Sequence, residues 1–248
     1  MHGIIQISKL IKTYKGNPGE VLKGVDMEVF EGEFLGLLGP NAAGKTTLIS
    51  VICGLLKFDS GSVYVNGIDI GKHHRQLNNM IGLIPQEIAL YPTLTVKENM
   101  EFFGRLHGLQ GGQLKSAVDK YLDVVQLGTH AKKRISKCSG GIKRRANLVA
   151  GLIHEPDIIF LDEPTLGVDA QSMNLIYEYL QQLNGSGKTI VYTTHYMKEA
   201  ENLCNRVTVI DDGKIIANGT PAELIKNNPG CNDLGQVFIK LTGRELRD

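Results

Sequence analysis

No stretch of this chain approaches the ~20 consecutive apolar residues that a membrane-spanning helix requires, which excludes a helical span within it. The start, Met1 to Leu10, alternates apolar and polar residues like an edge strand and lacks the apolar core of a secretory signal. Charge of one sign is missing too. Lys and Arg total 27 against 26 Asp and Glu, for a formal net charge of +1. Such balance offers no broad positive field to nucleic acid, and none is expected as a partner. Cys53, Cys138, Cys204 and Cys231 form no C-x-x-C pair, which suits a reducing compartment without a metal site. His73-His74 has no companion ligands and reads as a loop. Internal repeats, coiled-coil heptads and low-complexity segments are absent. What remains is a 248-residue chain with room for one large α/β domain and a substantial core.

The first positive signal is Gly39-Pro40-Asn41-Ala42-Ala43-Gly44-Lys45-Thr46-Thr47, which fits the phosphate-loop pattern G-x-x-x-x-G-K-S/T. Its context matters more than the match. The apolar run Phe34–Leu38 before it reads as a buried parallel strand. The proline-free, apolar-rich segment Thr46 to Leu55 after it reads as a helix. Backbone N–H groups of the loop and of the helix N-terminus then converge on one spot, where the helix dipole favours negative charge. Lys45 would reach the β- and γ-phosphates, and Thr46 would place its hydroxyl on Mg²⁺. Ala42 occupies a place where related loops often carry glycine. Either its φ is negative, or the loop holds strain of about 1–2 kcal/mol.

A second apolar strand, Ile158–Leu161, ends in the carboxylates Asp162 and Glu163. At a strand's carboxyl end both can face a crevice. Asp162 is suited to holding Mg²⁺ through water, and Glu163 is the candidate general base for an attacking water, worth roughly 10²–10⁴-fold. Alone, such a pair is as often there for solubility. A third signal is Cys138-Ser139-Gly140-Gly141-Ile142. Apolar residues at 142, 146, 149, 150 and 153 keep helical spacing, so Ser139-Gly140-Gly141 opens a helix and offers a second anion site. An ordinary serine N-cap is the plain alternative.

Taken in series, these motifs resemble those of the ATP-binding-cassette (ABC) ATPases, whose signature is usually Leu-Ser-Gly-Gly-Gln, and the resemblance spans essentially the whole chain. It implies an α/β fold: a phosphate-loop (RecA-like) core with an antiparallel β subdomain and a helical insert. It also implies ATP and Mg²⁺ as ligands and ATP hydrolysis as the activity. Tyr14 matches the aromatic that stacks on adenine. Gln86 looks like the glutamine that touches Mg²⁺ and the attacking water. Leu166-Gly167-Val168-Asp169 is similar to the loop that communicates across the family's dimer, and His195 matches the histidine on the γ-phosphate. Ser139 and Gly141 match the residues used on the γ-phosphate of a second subunit. Cys138 and Ile142 depart from the pattern and put the flanking contacts in question.

The layout expected from these signals is a nucleotide-binding core with a β subdomain over about 1–86 and 156–248, and a helical signature subdomain over about 87–155. Helices are expected over Leu94 to His107 and Gln113 to Leu127, and another with Met173, Ile176, Leu180 and Leu183 on one face, ended by the glycines at 185 and 187. Asn66-Gly67 and Asp211-Asp212-Gly213 read as hairpin turns. Lys132-Lys133-Arg134, Lys137 and Lys143-Arg144-Arg145 read as a solvated face, or as a patch attracting ATP. The apolar run Ile88–Leu94 either packs inside the insert or contributes Leu90, Tyr91 and Leu94 to a groove for a permease helix, as the family's corresponding region does.

The tail segments Gly219–Leu224 and Gln236–Leu246 look like the ends of ATPase subunits of type-2 ABC exporters. That resemblance implies a separate transmembrane permease, a second ATPase subunit as partner, and a cytoplasmic location on the inner face of the membrane. Two rivals stand beside it. A non-transport ABC ATPase usually shows a coiled-coil or zinc insert, or two cassettes in one chain. A low-turnover regulatory protein fits poorly with Glu163, Gln86 and His195 all in place.

Overall fold

A computed structural model describes residues 3–16 and 19–243, with the His74 side chain also outside the description. The chain divides into two compact units, Met1–Asn78 with Gly187–Asp248, and Asn79–Ser186. In chain order the first unit opens with β1 (Gly3–Thr13), β2 (Glu20–Phe30), β3 (Phe34–Leu38), α1 (Lys45–Ile52), β4 (Ser60–Val65), β5 (Ile68–Asp69) and the single turn α2 (Ile70–His73). The second unit carries β6 (Ile81–Ile84), α3 (Val96–Leu106), α4 (Gly111–Val124), α5 (Gly140–Leu152), β7 (Ile158–Asp162) and α6 (Ala170–Gly185). The chain then returns to the first unit with β8 (Thr189–Thr194), α7 (Met197–Leu203), β9 (Arg206–Asp211), β10 (Lys214–Gly219), α8 (Pro221–Lys226) and α9 (Leu234–Thr242).

In the first unit, β2, β1, β4 and β5 form an antiparallel sheet in that order, and β10, β9, β3 and β8 line up in a second layer. The all-apolar β3 is buried at every position and pairs in parallel with both β8 and β9. A strand with apolar residues on both faces has no other stable place. β1 corrects one expectation. It pairs with β2 on one side and β4 on the other, so it is an interior strand, not an edge. Both expected hairpins are present. Asn66 and Gly67 take φ of 48° and 74°, Asp212 and Gly213 take 45° and 74°, and Lys214 faces Asp211. These left-handed pairs match the twist of the strands they join. His73-His74 is a second correction. Instead of a loop, Ile70–His73 is one α-turn running into a 3₁₀ turn, His74–Leu77.

In the second unit, β6 and β7 pair in parallel, Ile84 opposite Leu161. The expected helices appear as α3 and α4. A capping box starts α3: the Thr95 side chain accepts from the Glu98 amide, and the Glu98 carboxylate accepts from the Thr95 amide, which satisfies two of the orphan donors at that end. Val118, Tyr121, Leu148, Val149, Phe160 and Leu161 are buried here, each worth about 1.5–3 kcal/mol of apolar burial for the aliphatic ones. The Tyr121 hydroxyl is not wasted, donating to the Leu152 carbonyl at 2.6 Å. On α6, Ile176 and Leu180 are buried, with Ser172 and Tyr179 beside them. Of the tail, Gly219–Leu224 is the capped start of α8, with the Thr220 and Glu223 capping box and Pro221 at its first turn. Arg244, Glu245 and Leu246 lie outside the described residues.

Candidate nucleotide site

In the first unit, Leu38 and Thr194 are register partners at the carboxyl ends of β3 and β8. The residues that follow them, Gly39 and His195, therefore leave the sheet at the same edge, where α/β proteins place their ligands. The phosphate loop is held from outside itself. A Cβ on Gly39 would sit 2.3 Å from the Ile210 carbonyl oxygen, so only glycine fits. Ala43 donates to the Pro40 carbonyl at 3.2 Å, and its own carbonyl accepts from Gly213 at the β9–β10 tip at 3.1 Å. Gly44 caps α1 at φ 107° with no side chain to compete for the helix amides. A Cβ there would crowd Leu22 and the Val21 carbonyl at 3.0 and 3.1 Å. No acidic residue occupies the first turn of α1, so the partial positive charge of that end is left for an anion.

Ala42 has φ 65°. Of the two cases open for it, the strained one holds. Lys45 is buried, and its ammonium donates to the Gly39 and Pro40 carbonyls at 2.7 and 3.2 Å. That keeps the charge folded over the loop's own mouth. The Tyr14 hydroxyl lies 3.2 Å from the Thr47 hydroxyl, with the ring 41 % exposed and Lys12 Nζ 5.7 Å from its centroid. An exposed aromatic face thus stands beside the start of α1, as stacking on a base needs. His195 packs its ring on Tyr196 at 4.2 Å. The turn behind it is pinned by buried Glu199, which accepts from the hydroxyls of Tyr192 and Thr194 at 2.9 and 2.6 Å.

In the second unit, the Ile84–Leu161 register sends Gln86 and the carboxylates Asp162 and Glu163 out of the same strand edge. Gln86 Nε2 donates to Glu163 Oε2 at 3.3 Å. Asp162 and Glu163 are both buried, Glu163 at 7 % exposure. Glu163 takes φ 46°. That left-handed turn breaks the strand alternation, which would otherwise send the two carboxylates to opposite faces. Ser139 opens α5 with extended φ and ψ, and its hydroxyl makes no capping bond. Ser139 is thus the N-cap by position, with its hydroxyl not used to cap the helix. Ser139 and Gly140 are exposed, whereas Gly141 is buried against Asp169 and Ser172. Asp169 caps α6, accepting from the Ser172 amide at 2.9 Å, and this bond holds its carboxyl below the usual range. Cys138 and Ile142, the two departures from the signature, are buried, with the Cys138 thiol donating to the Arg134 carbonyl at 3.3 Å. Both pack inward.

Two functional candidates escaped the sequence reading. Arg144, assigned there to a solvated face, is 7 % exposed. Its guanidinium donates to the Gln86 carbonyl at 2.7 Å and to the Leu166 carbonyl at 3.3 Å. Burial lowers its pKa. Asn147, one turn further, is buried too. It accepts from the Ala89 amide at 2.9 Å and donates to the Pro85 carbonyl at 3.4 Å. A faint signal existed: 144 and 147 share a face spaced i, i+3 on a helix already apolar on its other side. Lys132, Lys133, Arg134 and Lys137 are exposed, as a solvated face requires.

Residues 22–166 match the ABC transporter family. The chain belongs to that family. It is 45 % identical over 240 residues to the linearmycin resistance ATP-binding protein LnrL of Bacillus subtilis (strain 168), covering 96 % of this chain and 75 % of that protein. It is 41 % identical over 236 residues to the Nod factor export ATP-binding protein I of Paraburkholderia xenovorans (strain LB400), covering 94 % and 76 %. Among solved structures it superposes on an ATP-binding subunit of an ABC transporter with TM-score 0.87 and 25 % identity, covering 96 % of this chain and 99 % of that one. A second likeness is an ATP-binding cassette solved as a dimer in a post-hydrolysis state with ADP and Pi. It matches with TM-score 0.81 and 28 % identity over 87 % of this chain and 98 % of that one. This ABC protein is accordingly an ATP-binding and ATP-hydrolysing subunit of a transporter. Among the described residues no helix is long and apolar enough to cross a membrane.

Proposed function

We propose that this subunit powers a separate membrane permease in the outward direction, binding ATP between two ATPase subunits. It would sit peripherally on the cytoplasmic face of the membrane. The observation that carries the reading is the exposed start of α5. There the Ser139 hydroxyl makes no capping bond, and Ser139 and Gly140 face solvent. An anion site turned outward suits a phosphate held by another subunit. The relatives named for linearmycin resistance and for Nod factor export support the outward direction and suggest no common cargo.

Each residue's part is the one the family resemblance implies. Gly39 to Thr47 would wrap the phosphates with main-chain amides while Lys45 turns from the loop carbonyls to the β- and γ-phosphates. Tyr14 would stack on the base. Thr46, Gln86 and Asp162 each carry the kind of oxygen donor that Mg²⁺ selects, Asp162 acting through water, and the ion would neutralise phosphate charge. Glu163 would take the proton of the attacking water, held in place by Gln86. His195 would contact the γ-phosphate from the edge it shares with the phosphate loop. The helical part, about 87–155, would carry the signature and meet the permease.

Size-exclusion chromatography with light scattering on the Glu163→Gln variant tests this directly. With Mg-ATP it should bind nucleotide, hydrolyse it very slowly, and run as a dimer. A strict monomer even with the permease present would defeat the shared-site reading.

A further inference from the structure

Arg144 is a buried cation whose partners are main-chain dipoles. Among the described residues no carboxylate pairs with it, and its two acceptors are the Gln86 and Leu166 carbonyls at 2.7 and 3.3 Å. Burying a charge this way is unfavourable, and an apolar side chain of similar volume is often neutral or better. Packing alone therefore does not account for an arginine here. Its acceptors suggest what does. Gln86 follows β6 and donates to Glu163 Oε2 at 3.3 Å. Leu166 ends the turn that follows β7, its amide donating to the Glu163 carbonyl at 3.4 Å. One guanidinium thus grips both segments that flank the Glu163 carboxylate. Asn147 extends the grip, binding Pro85 and Ala89 on either side of Gln86. Both side chains stand on α5, whose start exposes Ser139 and Gly140.

We propose that Arg144 is a positioning residue for ATP hydrolysis. It locks the Gln86 main chain and the Leu166 turn to the helix that begins at Ser139–Gly141, and through them orients the Glu163 carboxylate toward the attacking water. A rigid planar fork with separate donors can hold two carbonyls at fixed separation, which the single ammonium of lysine cannot. The proposal rests on Glu163 being the general base, and its test separates the two ideas.

Hydrolysis of Mg-ATP and binding of a fluorescent ATP analogue are measured on the full chain for Arg144→Met, Arg144→Lys, Glu163→Gln and the double variant Arg144→Met/Glu163→Gln. Arg144→Met should lower kcat by about 10²-fold, the scale of a catalytic group displaced by an ångström, with KM and analogue binding unchanged. Arg144→Lys should recover part of that loss. The double variant should be no slower than Glu163→Gln alone, because residues acting as one unit are not additive. An unchanged kcat in folded Arg144→Met overturns the proposal, as does a full multiplicative loss in the double variant. Should Arg144→Met fail to fold, a folded Arg144→Lys with unmodified kcat overturns it as well. Normal turnover by Glu163→Gln would instead sink the base assignment itself.

Discussion

Replacing Gly141 with alanine isolates the packing beneath the signature. A Cβ at Gly141 would meet Asp169 Oδ2 and Ser172 Oγ at 2.4 Å and Ser172 Cβ at 3.1 Å. The two oxygens are side-chain tips and could swing away, but Asp169 is tethered by its bond to the Ser172 amide. The Ser172 Cβ is fixed to the α6 backbone. Relief therefore requires a shift between α5 and α6, an overpacking typically worth about 1–3 kcal/mol. Alanine returns up to about 1 kcal/mol of helix propensity, leaving a net loss of up to about 2 kcal/mol. For a chain of this size that lowers Tm by up to about 8 °C. Gly140→Ala is the internal control. Its Cβ would lie 3.6 Å from the Gly167 carbonyl, ordinary contact, so the same propensity gain arrives without the clash. Thermal unfolding followed by circular dichroism, without nucleotide, should place Gly141→Ala below the unmodified chain and Gly140→Ala at or above it. Equal melting of the two variants would refute the clash.

Ala42→Gly should relieve the φ of 65°. The strain removed, about 1–2 kcal/mol, equals or exceeds the about 0.4–1 kcal/mol of extra unfolded-state freedom, so Tm should rise by up to about 6 °C; a fall in the same melt would count against strain. Tyr91 is largely exposed and meets the also exposed Phe102 edge-on at 4.7 Å, while Leu90, placed with it in the expected groove, is buried. Tyr91→Arg should therefore weaken capture of the permease by about 30-fold, an anchor of ~2 kcal/mol, with analogue binding by the free subunit unaltered; normal capture would show that the patch lies elsewhere. His154 stacks on His107 at 3.6 Å and donates from Nε2 to the Ile81 carbonyl. Burial, and next the neighbouring His107, push its pKa down to about 4. Burial lowers His107 too. With folded values below unfolded ones, the unfolded chain binds more protons, so this stability is complete above about pH 6.5 and lost as pH falls toward 4. Urea midpoints at pH 7 and 5 should differ less in His154→Asn than in the unmodified chain; an equal difference would exclude the pair as the source.

The parts legible in the sequence are those fixed by neighbours in the chain. The apolar runs 34–38 and 158–161 have no polar face to expose, so they read as buried strands and are found as β3 and β7. The loop between β3 and α1 read from its spacing of glycines and lysine. What could not be read depends on distant partners. The alternation of β1 reports which face is apolar and says nothing of lateral neighbours, so its second partner, β4, was invisible. Arg144 reads as solvated because its acceptors lie 58 and 22 residues away. The hold of Gly213 on Ala43 likewise joins residues far apart in the chain.

Left-handed backbone shows the same division more sharply. Among the described non-glycine residues with positive φ, Asn66 and Asp212 suit it by residue type and sit in hairpins. Lys9 lies at a register break in β1. Gln126 and Glu155 follow the ends of α4 and α5, where helices commonly finish in this conformation. Each of these five has a local cause. Ala42 and Glu163 have neither a favourable residue type nor a hairpin, bulge or helix end to explain them. One shapes the loop proposed to wrap the phosphates, and the other turns out the carboxylate proposed to activate water. Strain of this kind persists only where the surroundings over-determine it, and it concentrates at functional sites. At Ala42 the surroundings are Gly39 against Ile210 and Ala43 held by Gly213. At Glu163 they are Gln86 on the side chain and the Leu166 amide on the carbonyl. Removing those supports should therefore change φ at these two residues before it changes the fold around them.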